Sequence, residues 1–202
     1  MSGHIPEAVL SDRLRDAIGA RPVKAVAFLT YQFDPGFFET EILPQLFDRP
    51  FSHIDKLRLV QVEEALLETG CRVAVYYDRR GLVDGATSAR LNVRRIGLAR
   101  TTGVFHPKVV LALVETTSIN KVTKEKSTFD SLLVMVSSAN LTRSGWWENV
   151  ESALIEEYHA GGSCSYRSDL LSLFSAVRAE AASETDHEAL EMIRRFIVHR
   201  LD

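Results

Sequence analysis

The sequence predicts an α/β protein: a mixed, largely buried β-sheet flanked by helices. Segments with helical and strand-like periodicity alternate along the chain. The runs VKAVAFLT, RVAVYY and SLLVMVSS are apolar at successive positions, as strands covered on both faces are. Of 202 residues, 46% are hydrophobic and 25% charged, a globular composition that excludes disorder, collagen and coiled coil. A chain of this length buries a core without disulfides. Nothing in it reads as a linker, so one domain over 1–202 is expected, with its core at about 20–160 and C-terminal helices at 165–201.

Glu7 to Ile18 reads as an amphipathic helix stopped by Gly19, and Val23 to Thr30 as a buried strand. Asp34-Pro35 then supplies an N-cap and a proline at the first helical position, ahead of Phe37, Phe38, Ile42, Leu46 and Phe47 on one side. Arg72 to Tyr77 is a second strand closed by the turn Asp78 to Gly81, and Asn92 to Leu98 a weaker third. Val104 to Glu115 and Ser131 to Ser138 are the most strand-like segments, joined by a polar, Lys-rich connection, Thr116 to Asp130, expected to be mobile at its tip. Asn149 to Tyr158 fits strand or helix, and its alternation favours strand. Two amphipathic helices close the chain: Tyr166 to Ala182, aligning Leu170, Leu173, Phe174 and Val177, and Asp186 to Leu201, aligning Leu190, Ile193, Phe196, Ile197 and Leu201.

The longest apolar run, Val109 to Val114, is far short of the roughly 20 residues of a membrane helix. The first residues lack a signal peptide's charged and apolar regions, so a cytoplasmic location is expected. Cys71 and Cys164 have no partner at metal-ligand spacing and read as small core residues. Net charge is −3, but eight basic residues between Arg72 and Lys108 face only Asp78 and Asp84. Such a stretch is either an anion-binding face or a solvated one.

Among six histidines, one is placed suggestively. His106 and Lys108 stand at alternate positions of an otherwise apolar strand, so both side chains point to one face. There they need polar company, since an unpaired buried charge is expensive. Ser138 and Asn140, at the end of the next strand, and Glu151 beyond it can supply it. The set offers an imidazole for attack or proton transfer, with an ammonium, an amide and a hydroxyl for phosphate oxygens. It lacks the clustered carboxylates or histidines of metal catalysis, and no metal or cofactor is expected. A satisfied structural histidine is the alternative.

His106-Pro-Lys108, followed by SSANLTRSGWWENVE from Ser137 to Glu151, resembles the phospholipase D superfamily, especially its tyrosyl-DNA phosphodiesterase branch and its single-motif bacterial nucleases. That family carries H-x-K, a G-S-x-N-like segment and a downstream Glu. Its usual Asp falls here on Leu113, and Ser137 stands where Gly is common. The resemblance implies His106 as nucleophile or its acid/base counterpart, Lys108 and Asn140 as phosphate ligands, Ser138 as a further donor, and Glu151 as the residue orienting the imidazole. Arg143 falls between phosphate contact and solvated surface, and Trp146 and Trp147 between packing and stacking on substrate. Arg95 and Arg100, in the basic stretch, are further candidates for binding substrate.

The superfamily mechanism needs two such motifs, and this chain has one. A homodimer sharing one site is expected; further domains or subunits carrying the other motif, or a degenerate site used only for binding, are the alternatives. The expected function is a metal-independent phosphodiesterase, a nuclease acting on DNA more than RNA through a phosphohistidine. The alternative is a non-catalytic binding or oligomerisation domain of a larger defence or repair protein. No membrane partner is expected.

Overall fold

A computed structural model describes residues 9–83, 90–119, 124–181, 183 and 187–202. Six strands form one sheet in the order β3–β2–β1–β4–β5–β6. These are β1 (Val23–Thr30), β2 (Arg72–Asp78), β3 (Arg94–Leu98), β4 (Val109–Ile119), β5 (Lys126–Ser137) and β6 (Ala153–His159). β1, β2 and β3 run parallel, while β4 returns antiparallel to β1 and begins a meander through β5 to β6. The sheet is therefore mixed and covered by helices, as the apolar runs require.

Alternation along β1 divides the core in two. Val26 and Phe28 face one side, packing with Leu14, Phe38, Leu43, Val62 and Trp146. Ala25, Ala27 and Leu29 face the other, packing with Tyr76, Phe174, Ile193 and Ile197. Helices α1 (Leu10–Ile18), α2 (Pro35–Phe37) and α3 (Asp55–Thr69) supply the first layer; α4 (Arg167–Glu180) and α5 (Glu188–Arg200) supply the second. Full burial of each large apolar side chain contributes about 1.5–3 kcal/mol. Both cysteines are buried and unbridged, and burial pushes the Cys71 thiol up to about 12.

Several elements differ from the sequence reading. The Asp34 carboxylate does accept a hydrogen bond from the Phe37 N–H at 3.1 Å, yet regular helix ends at Phe37, and the chain continues through a wide π-type turn (Phe38–Ile42) and a 3-10 turn (Leu43–Leu46) around Pro44. Helix α3 had no counterpart in the pattern: Leu57, Val60 and Leu67 are exposed, so its apolar residues do not form one inward stripe. The connection over Thr116 to Asp130 is largely strand, since β4 and β5 stay paired out to Ile119 and Lys126. Residues 120–123, where its tip falls, lie outside the described residues, as do the predicted helix starts at Glu7 and Asp186 and the acidic Asp84 of the basic stretch. Finally, β4 begins only at Val109: His106 and Lys108 precede the strand, and Pro107 between them has no N–H for a ladder.

No helix among the described residues is long and apolar enough to cross a membrane.

Candidate active site

Four chain segments meet at one end of the sheet. The exit of β1 (Thr30 to Asp34), the approach to β4 (Phe105 to Lys108), the exit of β5 (Ser137 to Leu141) and the entry to β6 (Glu151, Ser152) converge there because β4 and β6 start where β1 and β5 finish. The Ser137 N–H donates to the Lys108 carbonyl at 3.0 Å, carrying the β4–β5 pairing one step beyond the strand. The Ser138 N–H donates to the Ser152 carbonyl, also at 3.0 Å. The motif residues, up to 45 positions apart in sequence, are thus joined through backbone.

His106 is exposed and Lys108 half-buried. The Lys108 Nζ lies 3.0 Å from His106 Nδ1 and 3.2 Å from Nε2, so ammonium and imidazole occupy one spot. Burial lowers the Lys108 pKa below the ordinary lysine value, and the nearby Glu151 carboxylate opposes that shift. Glu151 accepts a hydrogen bond from the Ser138 hydroxyl, which itself accepts the Ser152 N–H at 3.0 Å. The structure therefore couples Glu151 to Ser138 and Lys108; its hydrogen bond goes to Ser138 where the resemblance implied the imidazole. Against the His106 ring lies Tyr31, with ring centroids 5.1 Å apart.

Asn140 is held by Gln32. The Gln32 N–H donates to Asn140 Oδ1 at 3.2 Å, and Asn140 Nδ2 donates to Gln32 Oε1 at 3.1 Å. The backbone around Asn140 has room for no side chain at Gly145: a Cβ there would sit 2.5 Å from the Asn140 carbonyl oxygen. This close approach explains the glycine of the Ser-x-Asn-Leu-Thr-x-x-Gly segment physically. Downstream, Trp146 is buried against Phe28, and Trp147 packs edge-on to Phe37 while its indole N–H donates to Ser11. Both tryptophans serve packing.

Asp78, at the end of β2, is buried and anchors the histidine segment. Its Oδ2 accepts the Phe105 N–H at 2.8 Å and its Oδ1 the Arg80 N–H at 2.9 Å. Burial raises the carboxyl pKa, but these two N–H groups and the Arg80 charge outweigh it, and the net shift is downward.

Three predicted binding residues are engaged elsewhere. Arg95 donates to the buried Glu39 carboxylate and to the Leu91 and Val93 carbonyls. Arg100 pairs with Glu180 of α4 at 3.1 Å. Arg143 is exposed but lies over the rings of Trp147 and Phe37, its guanidinium carbon 4.8 and 5.5 Å from their centroids. Conversely, Tyr31, Gln32 and Asp78 belong to the constellation although no motif marks them. Asp78 alone carried a sequence signal, as a carboxylate ending an apolar strand. Among the described residues, no three His, Cys, Asp or Glu side chains come close enough to hold a metal ion.

No protein-family model matches the sequence, and no curated protein matches it either. Solved structures do. Yeast tyrosyl-DNA phosphodiesterase superimposes with a TM-score of 0.52 and 10% identity over 90% of this chain, which spans only 37% of that protein. Nuc, a phospholipase D family member from Salmonella typhimurium, superimposes with a TM-score of 0.52 and 15% identity, covering 88% of this chain and 91% of that one. The chain shares the fold of these two structures.

Proposed function

We propose that this chain is one half of a phosphodiesterase that cleaves nucleic acid, DNA more than RNA, without a metal, and that a second copy completes the site. The carrying observation is the meeting of His106 and Lys108 with Asn140, Ser138 and Glu151 at one sheet end, in this fold. Lys108 and the free N–H of Asn140 would neutralise and bind the non-bridging oxygens of a phosphodiester, where charge redistributes in the transition state. The His106 imidazole would then attack phosphorus: an N–P bond forms, the P–O bond to the leaving group breaks, and that oxygen takes a proton from the second His106. Water next attacks the phosphohistidine, giving up its proton to the second imidazole and restoring His106.

The size comparison supports the half-site reading, since the chain spans a little over a third of yeast tyrosyl-DNA phosphodiesterase but nearly all of Nuc. A surface suited to a second copy adjoins the site. Val136, Leu154 and Tyr166 are exposed around a groove of about 640 Å³ that Ser138 and Ser152 also line, beside the edge strand β6. Support for a nucleic acid comes from Arg79 and Arg80, exposed directly after β2 at the same sheet end, each with guanidinium N–H groups beyond those it donates to the Gly97, Arg100 and Gly103 carbonyls. They would make sequence-independent phosphate contacts.

The test is a nuclease assay in EDTA with a mass determination on the same sample. Cleavage by a dimer, abolished in His106→Ala and kept in His199→Ala, is expected. A requirement for magnesium, or activity surviving in His106→Ala, would overturn the mechanism; a monomer that binds DNA without turnover would favour the binding-only alternative.

A further inference from the structure

The orientation of Asn140 is fixed by chemistry. The group facing its amide on one side is the backbone N–H of Gln32, which can only donate, so the atom meeting it at 3.2 Å is the acceptor Oδ1. The opposite end is then the NH₂, one of whose hydrogens goes to Gln32 Oε1 at 3.1 Å. One N–H of Asn140 remains uncommitted by this pair. A single residue thus sets both ends of the amide and leaves one donor to face outward.

Gln32 is itself held in place. Thr30, buried at the end of β1, donates its hydroxyl to the Gln32 carbonyl at 2.8 Å and accepts the Leu141 N–H at 3.0 Å. Beneath the preceding residue, a Cβ on Gly81 would sit 2.0 Å from the Tyr31 carbonyl oxygen, so only glycine allows the two backbones to approach this closely. The Phe33 N–H then donates to the Gly81 carbonyl at 2.9 Å. The same pinned dipeptide places the Tyr31 ring against His106.

We infer that Gln32 is a positioning residue: its amide oxygen, held by the pinned exit of β1, turns the one uncommitted N–H of Asn140 toward the phosphate oxygen of the substrate. This rests on the phosphodiesterase reading for the identity of the ligand, but not for the geometry. Gln32 is exposed, so replacing its side chain leaves the core and the backbone N–H contact untouched.

The experiment follows the Asn140 side-chain amide by ¹⁵N NMR during titration with inorganic phosphate, in the wild type, Gln32→Met and Gln32→Glu. The wild type is expected to show two well-separated Asn140 proton signals, one of which moves with phosphate. Gln32→Met is expected to bring the two signals together and to weaken the phosphate response about fivefold, as loss of one hydrogen bond implies. Gln32→Glu keeps an acceptor and should keep the two signals apart. Identical spectra and titrations in the wild type and Gln32→Met, or an Asn140 amide in the wild type that phosphate does not move, would overturn the inference. A nuclease assay on the same samples reports separately on the phosphodiesterase reading: a wild type that fails to cleave overturns that reading while the Asn140 signals still decide the role of Gln32.

Discussion

The Asp78 carboxylate accepts the backbone N–H of Phe105, 27 residues away, and so fixes the residue immediately before His106. Removing this acceptor in Asp78→Ala leaves the buried Phe105 N–H without its partner and frees the part-buried Arg80 N–H, which costs about 1–3 kcal/mol. Urea unfolding should show that loss. Because the folded carboxyl is shifted below its unfolded value of about 3.9, its contribution is present above that pH and is lost as pH falls through the folded value. The wild type should therefore lose stability more steeply than Asp78→Ala on acidification below about pH 4.

Gly145→Ala is expected to disturb the site through backbone alone. The added methyl would lie 2.5 Å from the Asn140 carbonyl oxygen, so one segment must move. Overpacking of this kind typically costs about 1–3 kcal/mol. Thermal unfolding measures that cost, and the Asn140 amide signals should shift with it.

Glu151 and Lys108 give a prediction with a definite sign. Burial lowers the Lys108 pKa and the Glu151 charge counteracts it. In Glu151→Gln the opposing charge is gone, so the Lys108 titration, followed by NMR, should move to still lower pH. A change in Glu180, which pairs with Arg100 instead, should leave it in place.

The basic residues separate into two groups. Arg95→Ala leaves the buried Glu39 carboxylate without its cation, a change that costs about 3–5 kcal/mol, so its effect should appear in unfolding measurements. Arg80→Ala, which also removes donors to the Arg100 and Gly103 carbonyls, should weaken DNA binding uniformly across sequences and reduce the salt slope by about 1. Filter-binding titrations at several salt concentrations distinguish the two.

Much of this architecture was legible in local pattern. The runs at Val23 to Thr30 and Arg72 to Tyr77 are buried on both faces, so their apolar composition reported their environment directly. Helix α3 was not legible, because it buries Leu59, Val62 and Ala65 while leaving Leu57, Val60 and Leu67 in solvent. In the site, His106, Lys108, Ser138, Asn140 and Glu151 stood out through spacing. Gln32 could not, since its tie to Asn140 spans 108 positions and depends on a backbone N–H that every residue except proline carries. Arg95 shows the opposite failure: a basic run displays charge but hides the Glu39 carboxylate, 56 positions upstream, that already holds it.

Attack of His106 on phosphorus would leave a covalent intermediate that can be trapped. A DNA substrate mixed with the wild-type protein in EDTA and quenched within a single turnover should yield an acid-labile phosphoryl adduct, located by mass spectrometry on the peptide containing His106 and missing from His106→Ala. Cleavage with no adduct on that peptide, or an adduct persisting in His106→Ala, would rule out His106 as the nucleophile.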